Sequence, residues 1–133
     1  MEALTHKHYG LAFILLPDEL MATQLLIDSI SRLVLTMENG FDEDESCLEV
    51  DFVTHLISLA RIRQKHFAYK KEDPFFKLSF DERVILYLRD KRQYPVSFVA
   101  SVLEGREERI LAASHQARAN LLAHNGQEWE SSC

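Results

Sequence analysis

The sequence predicts an all-α protein of about six helices, arranged as two three-helix lobes packed compactly, the second lobe containing a helix-turn-helix. Three observations lead there. Apolar residues recur at spacings of three and four along most of the chain, and no stretch alternates with a period of two. Ser46 with Glu49, and Ser79 with Glu82, have the spacing of capping boxes. The three prolines, Pro17, Pro74 and Pro95, fall at the ends of periodic stretches rather than inside them. With 133 residues, 47% apolar and 27% charged, the chain has the proportions of a folded soluble protein.

The first helix is expected from about Ala3 to Leu16, ending before Pro17. Pro17, Asp18 and Glu19 suit the first turn of a second helix, where a missing N–H costs nothing and carboxylates meet the positive end of the helix dipole. Leu26, Ile30, Leu33, Val34 and Met37 form its predicted inner stripe, with Asn39 and Gly40 as terminators. Asp42, Glu43, Asp44 and Glu45 make an acidic turn before a third helix, capped by Ser46 and buried through Phe52, Leu56, Leu59, Ala60 and Phe67. Glu72 to Leu78 reads as the hinge, since Asp73 before Pro74 is steered away from helical geometry. Ser79 caps a fourth helix striped by Phe80, Val84, Tyr87 and Leu88. Pro95 opens a short fifth helix that ends near Glu104, and Gly105 is the turn. Glu107 to His124 is the sixth helix, buried through Ile110, Ala113, Ala117 and Leu121 and closed by Asn125 and Gly126. Two helices joined by a short Gly-containing turn read either as a helix-turn-helix or as an ordinary helical hairpin. The expected organisation is a domain over residues 1–71, a hinge over 72–78, a second domain over 79–126 and a tail over 127–133.

Composition narrows the function classes. The chain carries 15 Lys and Arg against 21 Asp and Glu, a formal charge of −6, which disfavours a large basic surface for nucleic acid. The imbalance is local: residues 1–70 hold six basic against eleven acidic side chains, whereas residues 78–122 hold seven against six. The longest wholly apolar run, Leu11 to Leu16, is too short to span a bilayer, and its flanks lack a secretion signal, so a cytoplasmic protein without membrane attachment is expected. Cys47 and Cys133 imply no disulfide framework. His6 and His8 have no Cys or carboxylate at matched ligand spacing, so no metal site and no cofactor is expected. No nucleophile elbow, Gly-rich phosphate loop or Cys and His pairing is visible, and the acidic turn has nothing beside it to tune a carboxylate, so no catalytic residues are assigned.

The second half carries a family likeness. Phe80-Asp81-Glu82-Arg83-Val84-Ile85-Leu86-Tyr87-Leu88-Arg89-Asp90, then Val99-Ala100-Ser101-Val102-Leu103, then His115-Gln116-Ala117-Arg118 with Leu121, resemble the promoter-reading C-terminal domain of the extracytoplasmic-function sigma factors of bacterial RNA polymerase. That family's segment "x-x-E-R-x-V-x-x-L-R-D" leads into "I-A-x-x-L-G" and a recognition helix ending "H-R-A-R-x-x-L". The first half resembles the family's polymerase-binding domain through Leu11-Ala12, then Asp18-Glu19 with Ala22, Leu25, Ile30 and Arg32, then Leu56-Ile57-Ser58-Leu59-Ala60-Arg61. The resemblance implies two helical domains, a transcription-related role and protein partners.

The departures from the family shape the expected function. Leu111, Ala113 and Gln116 stand where the family holds basic side chains facing DNA. Glu104 stands at the glycine of "L-G", with Gly105 one place later. Gln24 and Ile27 fall on positions of the polymerase-binding signature, and His55 and Ile62 replace a Trp and an Asn. The hinge adds a geometric argument: seven extended residues reach about 25 Å, whereas two promoter elements about two duplex turns apart are separated by roughly 65 Å. Phe75, Phe76 and Leu78 in that hinge are expected to pack between the halves, with His115 packing on the helix before it. The sequence therefore looks like a degenerate sigma factor. The expected function is a sigma mimic that binds an anti-sigma-like protein, core RNA polymerase or an unrelated signalling protein, with DNA binding weak or absent. The alternative is a divergent DNA-binding sigma factor. Helical phase nominates Leu20, Gln24, Ile27 and Ser31 on the second helix, and Arg109, Ala112 and Gln116 on the sixth, as partner contacts. Arg106, Arg109, Arg118 and Asn120 are the phosphate-contact candidates of the alternative. A monomer is expected.

Overall fold

The computed structural model describes residues 2–38, 45–69 and 73–131. These residues are helical almost throughout and contain no strand. They form seven α-helices: α1 (Glu2–Lys7), α2 (Tyr9–Leu15), α3 (Glu19–Glu38), α4 (Glu45–Arg63), α5 (Phe80–Leu86), α6 (Val96–Leu103) and α7 (Glu107–Ser131). Contacts divide the chain into one unit of residues 1–67 with 101–103 and a second of residues 68–100 with 104–133.

In the first unit the expected single N-terminal helix is two. His8 opens the backbone to φ −107°, ψ 13° between α1 and α2, and its buried imidazole lies with Nε2 3.1 Å from Oε1 of Glu49. Asp18 serves as a cap rather than as a first-turn residue, its Oδ1 accepting from the Met21 N–H at 3.0 Å. α3 then packs along α2 and α4. Its buried residues are Ala22, Leu25, Leu26, Ser29 and Leu33, a stripe rotated from the expected one: Ile30 and Val34 are half-buried and Met37 is exposed. The hydroxyl of Ser29 donates to the Leu25 carbonyl at 2.8 Å, so its burial leaves no unmet donor. Asn39, Gly40 and Asp42 to Asp44 lie outside the described residues.

α4 already includes Glu45, which puts Ser46 inside the helix rather than at its cap. Glu49 pairs its carboxylate with Lys7 and His8. Phe52, Leu56 and Ala60 are buried as expected, and so are Val53 and Ile57. α4 is covered over a wider arc than one stripe, because α2 and α3 both pack on it. It ends at Arg63 in a 3₁₀ turn, so Phe67 sits in extended backbone and not on the helix.

In the second unit, the segment read as a hinge is structured from Asp73 onward. Asp73 caps a 3₁₀ turn over Pro74–Lys77, its carboxylate accepting from the Phe75 N–H at 3.0 Å. Phe75, like Leu121, packs against the buried cluster of Leu78, Leu86 and Ala117. Phe76 meets the Tyr69 ring at 5.3 Å. These contacts lie inside the second unit.

The Ser79 capping box forms as predicted: the Ser79 N–H donates to Glu82 Oε1 at 3.1 Å, and the Glu82 N–H donates to Ser79 Oγ at 3.2 Å. α5 buries Phe80, Val84, Ile85 and Leu86, and also Arg83, whose guanidinium lies 4.5 Å from the Tyr69 ring centroid and 5.8 Å from those of Phe76 and Phe80. The chain then widens into a π-helical turn over Tyr87–Lys91, which keeps both Tyr87 and Leu88 buried. α7 runs through Asn125 and Gly126 to Ser131. A glycine inside a helix costs only about 1 kcal/mol, which continued helix hydrogen bonding can absorb, so the expected stop at Asn125 and Gly126 is not observed and residues 127–131 of the expected tail belong to α7.

Candidate functional site

The nominated residues form two outward faces, one in each unit. On α3, Leu20 is 81% exposed and Ile27 is 48% exposed. Gln24 and Ser31 are exposed between and beyond them, and the Ser31 hydroxyl donates to the Ile27 carbonyl at 2.8 Å. Sequence reasoning missed three further members of this apolar surface: Leu35, which is 61% exposed, and Tyr9 and Phe13, whose rings stack at 6.2 Å on α2. The available signal was spacing: Tyr9 and Phe13 are four residues apart, as are Ser31 and Leu35. Between α1, α2 and α3 an open groove of about 680 Å³ is lined by Ala3, His6, Tyr9, Thr23, Ile27 and Ile30, among others.

Polar groups beside this face are satisfied internally. Gln24 Nε2 donates to Asp28 Oδ1 at 2.9 Å, and Arg63 of α4 forms a short charge-assisted bond to Asp28 Oδ2. The Arg63 hydrogen bond, helped by Gln24, holds the Asp28 carboxyl below the usual carboxylate range. His55, half-buried on α4, is pushed below the usual imidazole range by desolvation and by the Arg32 and Arg63 charges, against a smaller opposing pull from Asp28. His55 thus belongs to a polar cluster linking α3 to α4. α3 is long and apolar enough in length and composition to cross a membrane, but this Asp28–Arg63 pair midway along it suits water better than lipid.

Arg106, just before α7, and Arg109, Ala112 and Gln116 on it are exposed. Leu111 is 42% exposed, and Ala113 is half-buried. His115 is exposed, not packed on the preceding helix as expected, because Ser114 takes the inward position. The remaining two phosphate-contact candidates turn to the protein itself. Arg118 clamps Asp90 through Nε at 2.9 Å and Nη2 at 2.5 Å, and this hydrogen bonding draws the Asp90 carboxyl down. Asn120 Nδ2 donates to Glu82 Oε2 at 2.8 Å while its Oδ1 accepts from Gln116 at 3.0 Å. The outer surface of α7 therefore offers Arg106 and Arg109 as cations, flanked by the first-turn acids Glu107 and Glu108.

The connection into α7 turns on Glu104, at φ 55°. The Gly105 N–H reaches back to the Ala100 carbonyl at 2.9 Å, the closing bond of a Schellman turn. The left-handed residue that a glycine favours is thus Glu104, and a methyl group on Gly105 would meet only Ile110 Cδ1 at an ordinary 3.6 Å. Among the described residues no three His, Cys, Asp or Glu side chains converge as a metal site requires. Comparison with known proteins finds no match: no family model fits the sequence, and no curated protein or solved structure matches it.

Proposed function

We propose that this protein is a sigma-factor-like regulator that acts by holding a protein partner, such as an anti-sigma-like protein or core RNA polymerase, and has little or no affinity for DNA. The observation that carries the reading is the state of α7. Arg118 and Asn120, which would meet phosphates in a promoter reader, are bonded to Asp90 and Glu82, and Leu111 and Gln116 are outward where basic groups would be needed. Two cations beside two carboxylates on a chain of charge −6 release few counterions from a duplex. The partner faces in this reading are Leu20, Gln24, Ile27 and Ser31 on α3, and Arg109, Ala112 and Gln116 on α7. All seven are exposed.

The alternative, a divergent DNA-binding sigma factor, draws support from the Schellman turn joining α6 to α7, a geometry compatible with a helix-turn-helix. Fluorescence anisotropy with random and promoter-derived duplexes at two salt concentrations tests the choice. No binding is expected at physiological salt, and tight, sequence-selective binding would establish the alternative. Leu111→Lys with Gln116→Arg should create weak binding whose log–log salt slope is steeper by up to about 1.8. Partner capture from extract, with Gln24→Arg and Arg109→Glu as controls, tests the faces. If capture survives both changes, the faces are wrongly assigned.

A further inference from the structure

We infer that the outer face of α3 is a self-pairing surface, on which the α3 helices of two copies of this chain pack antiparallel about a twofold axis near Ile27. Leu20, Gln24, Ile27, Ser31 and Val34 follow the 4-3-4-3 spacing of a coiled-coil seam. They form the side of α3 opposite its buried Ala22, Ser29 and Leu33. Only Val34 among the five is half-buried; the other four are exposed. The seam also reads alike from both ends. Ile27 is central, the uncharged polar residues Gln24 and Ser31 flank it, and Leu20 at one end answers Val34 and Leu35 at the other. An isologous contact requires such a face, because each copy must present the other with the same surface reversed.

Charge selects the same occupant. The first 70 residues carry a net −5, yet no seam residue is ionisable. The carboxylate within its span, Asp28, is already held by Arg63 and Gln24. A strongly basic partner would find no free acid along the seam, whereas a second copy meets a neutral face like its own. The extent fits a reversible dimer. The seam is about 21 Å long at 1.5 Å per residue. From their exposures, Leu20, Ile27, Leu35, Tyr9 and Phe13 offer on the order of 500 Å² of apolar surface per copy, which puts the pair near the lower edge of stable interfaces.

The dimer hides the α3 face to which the proposed function assigns a partner. Resting on that reading, partner capture and self-pairing exclude one another, and the free chain is held in a masked state.

Sedimentation velocity of the purified full chain over a concentration series reads the dimer directly. A monomer–dimer equilibrium is expected, and Ile27→Asp or Leu20→Asp should weaken it about tenfold or more. Both side chains are exposed, so folding is not at stake, and circular dichroism checks this. In a Cys47→Ser, Cys133→Ser background, Ile27→Cys should form an intermolecular disulfide across the axis. Leu20→Cys should not, since its mate lies about 21 Å away along the helix. A chain that is monomeric at every concentration overturns the inference, as does a dimer indifferent to Ile27→Asp or one that cross-links equally at both positions. A dimer with the expected signature whose chain captures no partner even at concentrations low enough to leave it monomeric leaves the inference standing and removes the functional reading. A partner captured by a strictly monomeric chain does the reverse.

Discussion

The outer faces of α3 and α7 differ in what is left once the internal polar pairs have formed. Each helix is tied laterally by a carboxylate–arginine pair, Asp28 with Arg63 in the first unit and Asp90 with Arg118 in the second. On α3 that pairing leaves an outer face that is apolar and uncharged, whereas on α7 it leaves Arg106 and Arg109 beside acids, with Leu111 and Gln116. The first unit leaves Leu20, Ile27 and Leu35 of α3 in water. The second does the opposite at its centre, burying Arg83 among Tyr69, Phe76 and Phe80. Burial raises the Tyr69 phenol, with the Arg83 charge acting in the opposite direction. An exposed apolar face and a buried cation are both departures from ordinary patterning.

The sharpest break between core and outer face should come from truncation in the first unit. Phe52, 1% exposed, should lose about 3 to 5 kcal/mol on change to Ala, whereas Leu20→Ala should stay within about 0.5 kcal/mol. Urea unfolding midpoints separate the two. A large cost at Leu20 would mean that the α3 face is structural rather than free for contact.

Next in size is the turn before α7. Glu104 holds a left-handed conformation that costs a side-chain-bearing residue about 1 kcal/mol. Glu104→Gly should therefore raise thermal stability, and Gly105→Ala should be nearly neutral. The reverse order would put the strain at the wrong residue.

The polar cluster of the first unit predicts a pH response. His55 is depressed below its ordinary 6.5, so the unfolded chain takes up its proton first, and stability falls as pH drops below about 6.5 toward the folded value. Asp28 is depressed below its ordinary 3.8. Its contribution is full above that value and is lost as pH falls through the folded value. His55→Gln should flatten the upper part of this acid limb in pH-dependent melting curves, and Asp28→Asn the lower part. Smallest is the second unit's own ion pair. Both partners are about two-fifths exposed, so Arg118→Ala should cost less than about 1 kcal/mol, and the difference from wild type should shrink with added salt.

Local signals in the sequence were enough for features that depend on near neighbours. The Ser79–Glu82 box, the start of α6 at Pro95 and the exposed phase of Leu20, Gln24, Ile27 and Ser31 follow from side chains three or four residues apart, and such bonds and faces exist whatever packs nearby. Tertiary structure decided the rest. Glu49 has capping-box spacing from Ser46, but His8 and Lys7, 41 and 42 residues away, claim its carboxylate. Arg118 and Asn120 look like phosphate contacts until α5 and the following turn supply Asp90 and Glu82. Arg83 is buried because Tyr69 and Phe76, both outside its helix, close over its guanidinium. The physical reason is common to all three: a hydrogen-bonding or charged group settles with the partner that desolvates and satisfies it best, and when that partner is remote in sequence no local pattern encodes the choice.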